Sequence, residues 1–182
     1  MTLVDRALQR WRIAMAARHI PPGAMVLDIG CGDGSLFRGL GGRLGGGLGV
    51  DPTLSTDRVS GGVQLKAGYF PMAVPAGSGP FDAITMLAVL EHFPEAAYAG
   101  LGGDCARFLK PNGRLIITVP SPAVDGILAV LKKLRLVDGM SLEEHHGYDA
   151  NRTPEIFSPH FRLLRHQRFQ IGLNHLFVFE RA

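Results

Sequence analysis

The stretch Val26-Leu-Asp-Ile-Gly-Cys-Gly-Asp-Gly-Ser35 constrains the fold more than any other part of the chain. Residues 25–29 form an apolar run of strand length, which breaks into Gly30-Cys31-Gly32-Asp33-Gly34 before Ser35-Leu36-Phe37 opens a helix. Glycine at every second position removes side chains that would hold a ligand away from the backbone. The helix start offers free N–H groups and a partial positive charge, which suit a carboxylate or phosphate. A strand, a tight turn and a helix are therefore expected here, with a small cofactor lying across the turn.

The rest of the chain continues that alternation. Leu3, Ala7, Leu8, Trp11 and Met15 are spaced helically within residues 1–22, and Pro21-Pro22-Gly23 ends the helix. Trp11 reads as a core anchor, with a ligand cover as the alternative. A short helix at 36–40 leads to a strand at 46–50 that closes on Asp51-Pro52. Further strands are expected at 63–67 and 81–87, and the most β-like run is 114–119. Between the last two lie Leu90-Glu91-His92, a helix near 95–109 and the turn Lys110-Pro-Asn-Gly113. Strands alternating with helices indicate an α/β, doubly wound, mainly parallel sheet. An amphipathic helix at 124–137, a polar segment at 141–151 and a short helix at 153–157 follow, and two β-like stretches at 161–171 and 175–180 finish the chain. The whole reads as one domain, 1–182, with 122–158 as a cap inserted between the fifth and sixth strands.

Composition narrows the class. At 182 residues, with 46% apolar and 19% charged content, the chain can bury a full core and is not disordered. Much of the excess among its 24 glycines falls between Gly39 and Gly49, where it marks a loop and tight turn. No apolar run is long enough to span a bilayer, and the first residues lack the order of a signal peptide. Two cysteines exclude a disulfide framework, so the expected location is the cytoplasm. Both ends of the chain are basic and its middle acidic; without an aromatic-interleaved basic motif, these ends read as solvated faces, and nucleic acid is set aside as a partner.

The glycines at 30, 32 and 34 do not match the dinucleotide pattern, which places Ser35 where a third glycine would stand. Asp51, 21 residues after Gly30, can accept ribose hydroxyls from a dinucleotide or another adenosine ligand. Taken with Gly49-Val-Asp51, Phe81-Asp-Ala-Ile84, Leu90-Glu-His92 and Leu109-Lys-Pro-Asn-Gly-Arg-Leu115, the glycine stretch resembles the class I S-adenosylmethionine-dependent methyltransferases across residues 25–120. The resemblance implies a Rossmann-like, seven-stranded sheet with an antiparallel C-terminal strand, and S-adenosylmethionine as cofactor with S-adenosylhomocysteine as product. It implies that Asp28 faces the methionine end of the cofactor, with capping of the glycine turn as an alternative or added role. Gly30, Cys31, Gly32 and Gly34 would supply backbone contact, Asp51 the ribose contact, Pro52 an adenine contact, and Leu87 and Ala88 backbone groups near the methionine portion. Many relatives carry an acid after the third strand; here Gly68-Tyr69-Phe70 has none, so Tyr69 or Phe70 is expected to stack on adenine.

Methyl transfer from a sulfonium is a displacement with a good leaving group, so positioning supplies much of the rate and a base is needed only when the acceptor must lose a proton. His92 reads first as shaping the loop with Glu91 and helping to fix the cofactor, with a catalytic base as its alternative role. Glu143-Glu144-His145-His146 invites a metal reading, but adjacent histidines diverge and no second ligand cluster has metal spacing, so no metal is expected. The segment reads instead as an ordinary polar loop or as a substrate lid carrying His145, His146, Tyr148 and Asn151, with His92 as a further candidate substrate contact. The reading is a methyltransferase acting on an unidentified, small-molecule acceptor. A silent S-adenosylmethionine-binding scaffold and an NAD-dependent oxidoreductase are the competitors.

Overall fold

A computed structural model of the chain describes residues 3–121 and 148–182. The sequence-predicted helix at 124–137, with His145 and His146, lies outside the described residues. Eight strands form one sheet: β1 (Met25–Ile29), β2 (Gly46–Asp51), β3 (Arg58–Ser60), β4 (Val63–Ala67), β5 (Phe81–Leu87), β6 (Leu109–Pro120), β7 (Phe161–Phe169) and β8 (Asn174–Arg181). Their order is β3-β4-β2-β1-β5-β6-β8-β7. Strands β4, β2, β1, β5 and β6 run parallel, β8 is antiparallel to β6, and β7 is antiparallel to β8.

The sheet has eight strands where seven were expected. The added one is β3, which pairs antiparallel with β4 across Gly61 and Gly62, both at positive φ as a two-residue hairpin turn requires. Three exposed residues carry no alternation that a sequence pattern could register. This hairpin stands where a helix commonly crosses between parallel neighbours. It leaves a groove of about 360 Å³ beside β4, walled in part by Phe37, Leu44, Val63 and Leu65.

Side-chain alternation assigns each strand residue to a layer. On one face Val26, Ala83, Ile116, Leu176 and Val178 meet Met15, Ala16, Leu36, Phe37 and Leu40 from helices α1 (Leu3–Ala17) and α2 (Ser35–Leu40). On the other, Leu27, Ile29, Ile84, Met86, Leu115, Ile117, Phe177 and Phe179 meet Leu101, Cys105 and Phe157 from α3 (Tyr98–Phe108) and α4 (Thr153–Phe157). Parallel strands buried on both faces read as the continuous apolar runs found in β1, β5 and β6.

Glycines 46, 47 and 49 lie in β2, at the strand expected for 46–50, and two of them are closely packed: a Cβ at Gly47 would come within 2.3 Å of the Phe37 ring and one at Gly49 within 2.6 Å of Cys31 Sγ. The bare strand lets α2 and the glycine turn settle close to the sheet. Trp11 is not a core anchor: it is 46% exposed, since α1 buries only Met15, Ala16 and Ala17 fully against the sheet. The turn at Lys110–Gly113 is a bulge inside β6, where pairing jumps from Phe81↔Leu109 to Ala83↔Arg114 and Asn112 adopts φ 60°.

Phe157 is fully buried, with its ring 5.5 Å from that of Phe179 and 6.1 Å from that of Phe161. Replacing it with alanine is expected to cost about 3–5 kcal/mol, whereas Trp11→Ala should stay within about 0.5 kcal/mol of wild type. Urea unfolding midpoints distinguish the two; comparable losses would return Trp11 to the core.

Candidate cofactor and acceptor site

The carboxyl ends of β1, β2, β5 and β6 converge at one edge of the sheet, where a doubly wound fold holds its ligands. The glycine turn after β1 is built from three glycines with three different tasks. A Cβ on Gly30 would come within 2.3 Å of the Val89 side chain, so this residue is small because the loop after β5 packs on it. Gly34 adopts φ 81° at the start of α2, gives its N–H to the Cys31 carbonyl and faces Leu65. Only Gly32, at φ 51°, points a missing Cβ into open space. The ligand-approach argument made for the whole turn therefore falls on Gly32 alone. Cys31 is buried, and burial pushes its thiol well above the usual range, so it fills space without reacting.

Asp51 ties the turn to β2. Its Oδ2 accepts the Gly32 N–H at 2.6 Å, and its Oδ1 accepts the Thr53 N–H and hydroxyl at 2.8 and 2.6 Å. Asp28, on the α1–α2 face of β1, accepts a 2.6 Å hydrogen bond from the Thr85 hydroxyl. Burial raises its pKa to about 7 against the opposing Thr85 hydrogen bond.

The loop after β5 closes the edge. Ala88 sits at φ 58°, an uncommon conformation for a residue with a Cβ, and gives its N–H to the Thr118 carbonyl at 2.8 Å. A ligand contact at Ala88 is thus left to its carbonyl. The tight turn Leu90–His92 follows, with its Glu91 2% exposed and burial raising that carboxyl to about 7. The nearby charge of Arg12 opposes the shift. Glu91 Oε2, Arg12 Nε and Thr118 Oγ1 are buried without a hydrogen-bond partner. Arg12 and Thr118 escaped sequence analysis, as did Tyr98, whose hydroxyl reaches the Leu90 carbonyl at 3.3 Å. The signal for Arg12 was present: Leu8, Arg12 and Met15 share one helical face, so a charge stands where the pattern asks for an apolar residue.

The structure brings some of the remaining candidates together and separates others. Tyr148 packs edge-on against Tyr98, ring centroids 5.8 Å apart, and its hydroxyl pairs with that of Thr153 at 2.8 Å. Burial raises the Tyr148 hydroxyl, and the nearby Glu91 charge acts in the same direction. His92 is half-buried at the end of the Glu91 turn. Asn151 is exposed and spends its backbone and side-chain N–H on Asp149 at 2.9 Å, capping the turn before α4. Phe70 does not present its ring to a ligand, because it packs edge-on against Phe108 at 5.8 Å within the core. Tyr69, 75% exposed, is the aromatic left available; Pro52 is exposed as well. Leu87 packs partly on the α1–α2 face. No group of three or more His, Cys, Asp or Glu that could hold a metal occurs among the described residues.

Asp28 and Glu91 impose a pH dependence on stability. Unfolded, both carboxyls ionise near pH 4; folded, near 7, so the folded state holds more protons between those values and stability falls as pH rises through that window. Asp28→Asn and Glu91→Gln are each expected to flatten the dependence of the urea midpoint between pH 4.5 and 7. A slope unchanged in both variants would refute the assignment.

The chain is similar to known proteins in both sequence and fold. Residues 2–168 match a family model described as a methyltransferase domain. The ubiquinone biosynthesis O-methyltransferase of Xylella fastidiosa is 32% identical over 162 residues, covering 82% of this chain; the chain spans 64% of that relative's length. The magnesium protoporphyrin IX methyltransferase of Synechocystis, crystallised with S-adenosylhomocysteine, superposes with a TM-score of 0.61 at 21% identity, over 97% of this chain and 83% of its own. A Burkholderia thailandensis 1,6-didemethyltoxoflavin N1-methyltransferase, also with S-adenosylhomocysteine, gives 0.65 at 22% identity over 98% and 80%. With a sheet of the same architecture and its glycine turn and Asp51 in place, the chain belongs to the class I S-adenosylmethionine-dependent methyltransferase family.

Proposed function

We propose that this chain binds S-adenosylmethionine at the carboxyl edge of its sheet and transfers the methyl group to a hydroxyl of a small-molecule acceptor. The observation that carries the reading is the set of buried polar groups with unmet valence at that edge. Buried polar atoms in folded proteins are almost always paired, yet Arg12 Nε, Glu91 Oε2 and Thr118 Oγ1 are not. A ligand bearing a carboxylate, an ammonium and a sulfonium supplies both signs of charge to such a set. Beside it, Gly32 leaves room for a ligand against the turn. The residues therefore fit the cofactor.

Bound there, the cofactor supplies an electrophilic methyl group with a neutral thioether as leaving group. The chain's own residues divide the remaining work. Asp51, already holding the Gly32 N–H, has lone pairs left for ribose hydroxyls, and Tyr69 offers an aromatic face to the adenine. Asp28 and Glu91 balance the cofactor's positive charge, and Arg12 takes its carboxylate. His92 accepts the proton that an acceptor hydroxyl loses, while Tyr98 and Tyr148 wall the acceptor side. The name of the Xylella relative, an O-methyltransferase, supports oxygen as the methylated atom. Both cysteines are free and buried, in keeping with a reducing compartment. Among the described residues, no helix is long and apolar enough to cross a membrane.

Calorimetry with S-adenosylhomocysteine and NAD should show binding of the first only; the reverse would overturn the cofactor reading. Asp51→Ala is expected to weaken S-adenosylhomocysteine binding by about 1–3 kcal/mol through lost charge-assisted hydrogen bonds, and an unchanged affinity would remove Asp51 from the site. Activity is tested with labelled methyl donor and a panel of phenols, catechols and aliphatic alcohols. His92→Ala should lower kcat by about a hundredfold while leaving S-adenosylhomocysteine affinity unchanged. Label transfer to no acceptor, with intact cofactor binding, would favour a silent binder.

A further inference from the structure

The basic N-terminal segment, which reads as a solvated face in the sequence, is gathered by the fold into a cleft. Positions 6, 10 and 14 lie on one stripe of α1, four residues apart, and Arg18 follows just past its last turn. Across from them stand Arg38 of α2 and Arg43 of the short turn Gly41–Arg43. The cleft between these elements encloses about 840 Å³ and is lined by Arg6, Arg10, Arg18, Arg38, Arg43 and a single acid, Asp33. Asp33 and Arg38 engage one another, and Arg38 also reaches the Asp33 carbonyl and the Ser35 hydroxyl, so Arg6, Arg10, Arg18 and Arg43 carry the excess charge of the cleft. Arg43 reaches only the Ala17 carbonyl, at 3.4 Å. The floor is small or apolar, with Ala14, Ala17 and Gly39 between the arginines.

This arrangement works against the protein by itself. Like charges at i and i+4 destabilise a helix, and a cation near the N-terminus opposes the helix dipole, as Arg6 does. A concave surface that concentrates one sign of charge also focuses its potential. Guanidinium groups match phosphate oxygens in paired, directional hydrogen bonds. Helical rise separates Arg6 from Arg10 by about 6 Å and Arg6 from the Arg18 position by about 18 Å. One phosphate satisfies one or two of these groups; a row of phosphates can reach the four that Asp33 does not engage. The concavity favours a chain lying in the groove over a flat lipid surface.

We propose that the α1–α2 cleft binds a linear chain of phosphates, either an inorganic polyphosphate or the backbone of a single-stranded nucleic acid. The proposal is independent of the methyltransferase reading, because none of these arginines is assigned to the cofactor or acceptor.

The test is fluorescence titration of the whole chain with long-chain polyphosphate, a dye-labelled oligouridylate of about 12 nucleotides and orthophosphate at several salt concentrations. The expected result is that at least one chain ligand binds far more tightly than orthophosphate. Replacing Arg10 and Arg18 with glutamine should weaken it by about tenfold and lower the salt slope by about two, with S-adenosylhomocysteine affinity unchanged. Arg43→Gln, on the opposite wall, should act in the same direction if the α1 variant folds poorly. Binding of polyphosphate alone assigns the inorganic chain; binding of both assigns the shared backbone chemistry. Affinities no tighter than orthophosphate, insensitivity to all three substitutions, or binding only to anionic phospholipid vesicles would overturn the proposal.

Discussion

The carboxyl edge of the sheet depends on one carboxylate that holds a turn 19 residues away in sequence. Asp51 takes the Gly32 N–H with one oxygen and both polar groups of Thr53 with the other. Hydrogen bonds to a charged acceptor contribute about 1.5–3 kcal/mol, enough to fix a turn whose glycines would otherwise sample many conformations. With the turn fixed, Gly30 comes under Val89 and the loop after β5 is drawn onto β1. Through that loop the position of Glu91 follows from Asp51, although the two residues belong to different strands' ends. Under the proposed function, cofactor grip and acceptor geometry would both depend on this contact.

The electrostatics of this edge suit a cationic ligand. Burial raises the carboxyls of Asp28 and Glu91 to about 7, so each is about half-protonated at neutral pH. Burial alone would favour apolar residues there. Under the proposed function, a positive charge bound beside them would favour their ionised forms, and binding would release protons. The Arg12 charge acts on Glu91 in the opposite sense to burial, lowering its pKa.

Much of this was readable before the structure. The order of strands and the place of Asp51 follow from local signals: apolar runs, glycine breaks and a carboxylate at a strand end. What was not readable depends on contacts between distant parts of the chain. Gly30 is required by Val89, Phe70 is claimed by Phe108, and glycines in β2 make room for Phe37 and Cys31. No local pattern reports such partners. Trp11 misled because helical spacing says which residues share a face, not how far along the helix that face stays in contact. The basic stripe of α1 was visible as charge, but its facing wall, Arg38 and Arg43, came only from folding.

The short hairpin that replaces a crossover helix has a consequence for motion. Strand β4 has no fully buried residue and β3 is exposed throughout, whereas β1 is buried after its first residue. Backbone amides on the β3–β4 margin are therefore expected to exchange with solvent through local openings well below the free energy of global unfolding. The turn that carries Tyr69 leaves directly from the end of β4, so the adenine end of the proposed pocket would border this margin. A nucleoside bridging Asp51 and Tyr69 would tie this fraying margin to the rigid centre, and part of its binding energy would appear as slowed exchange along β4.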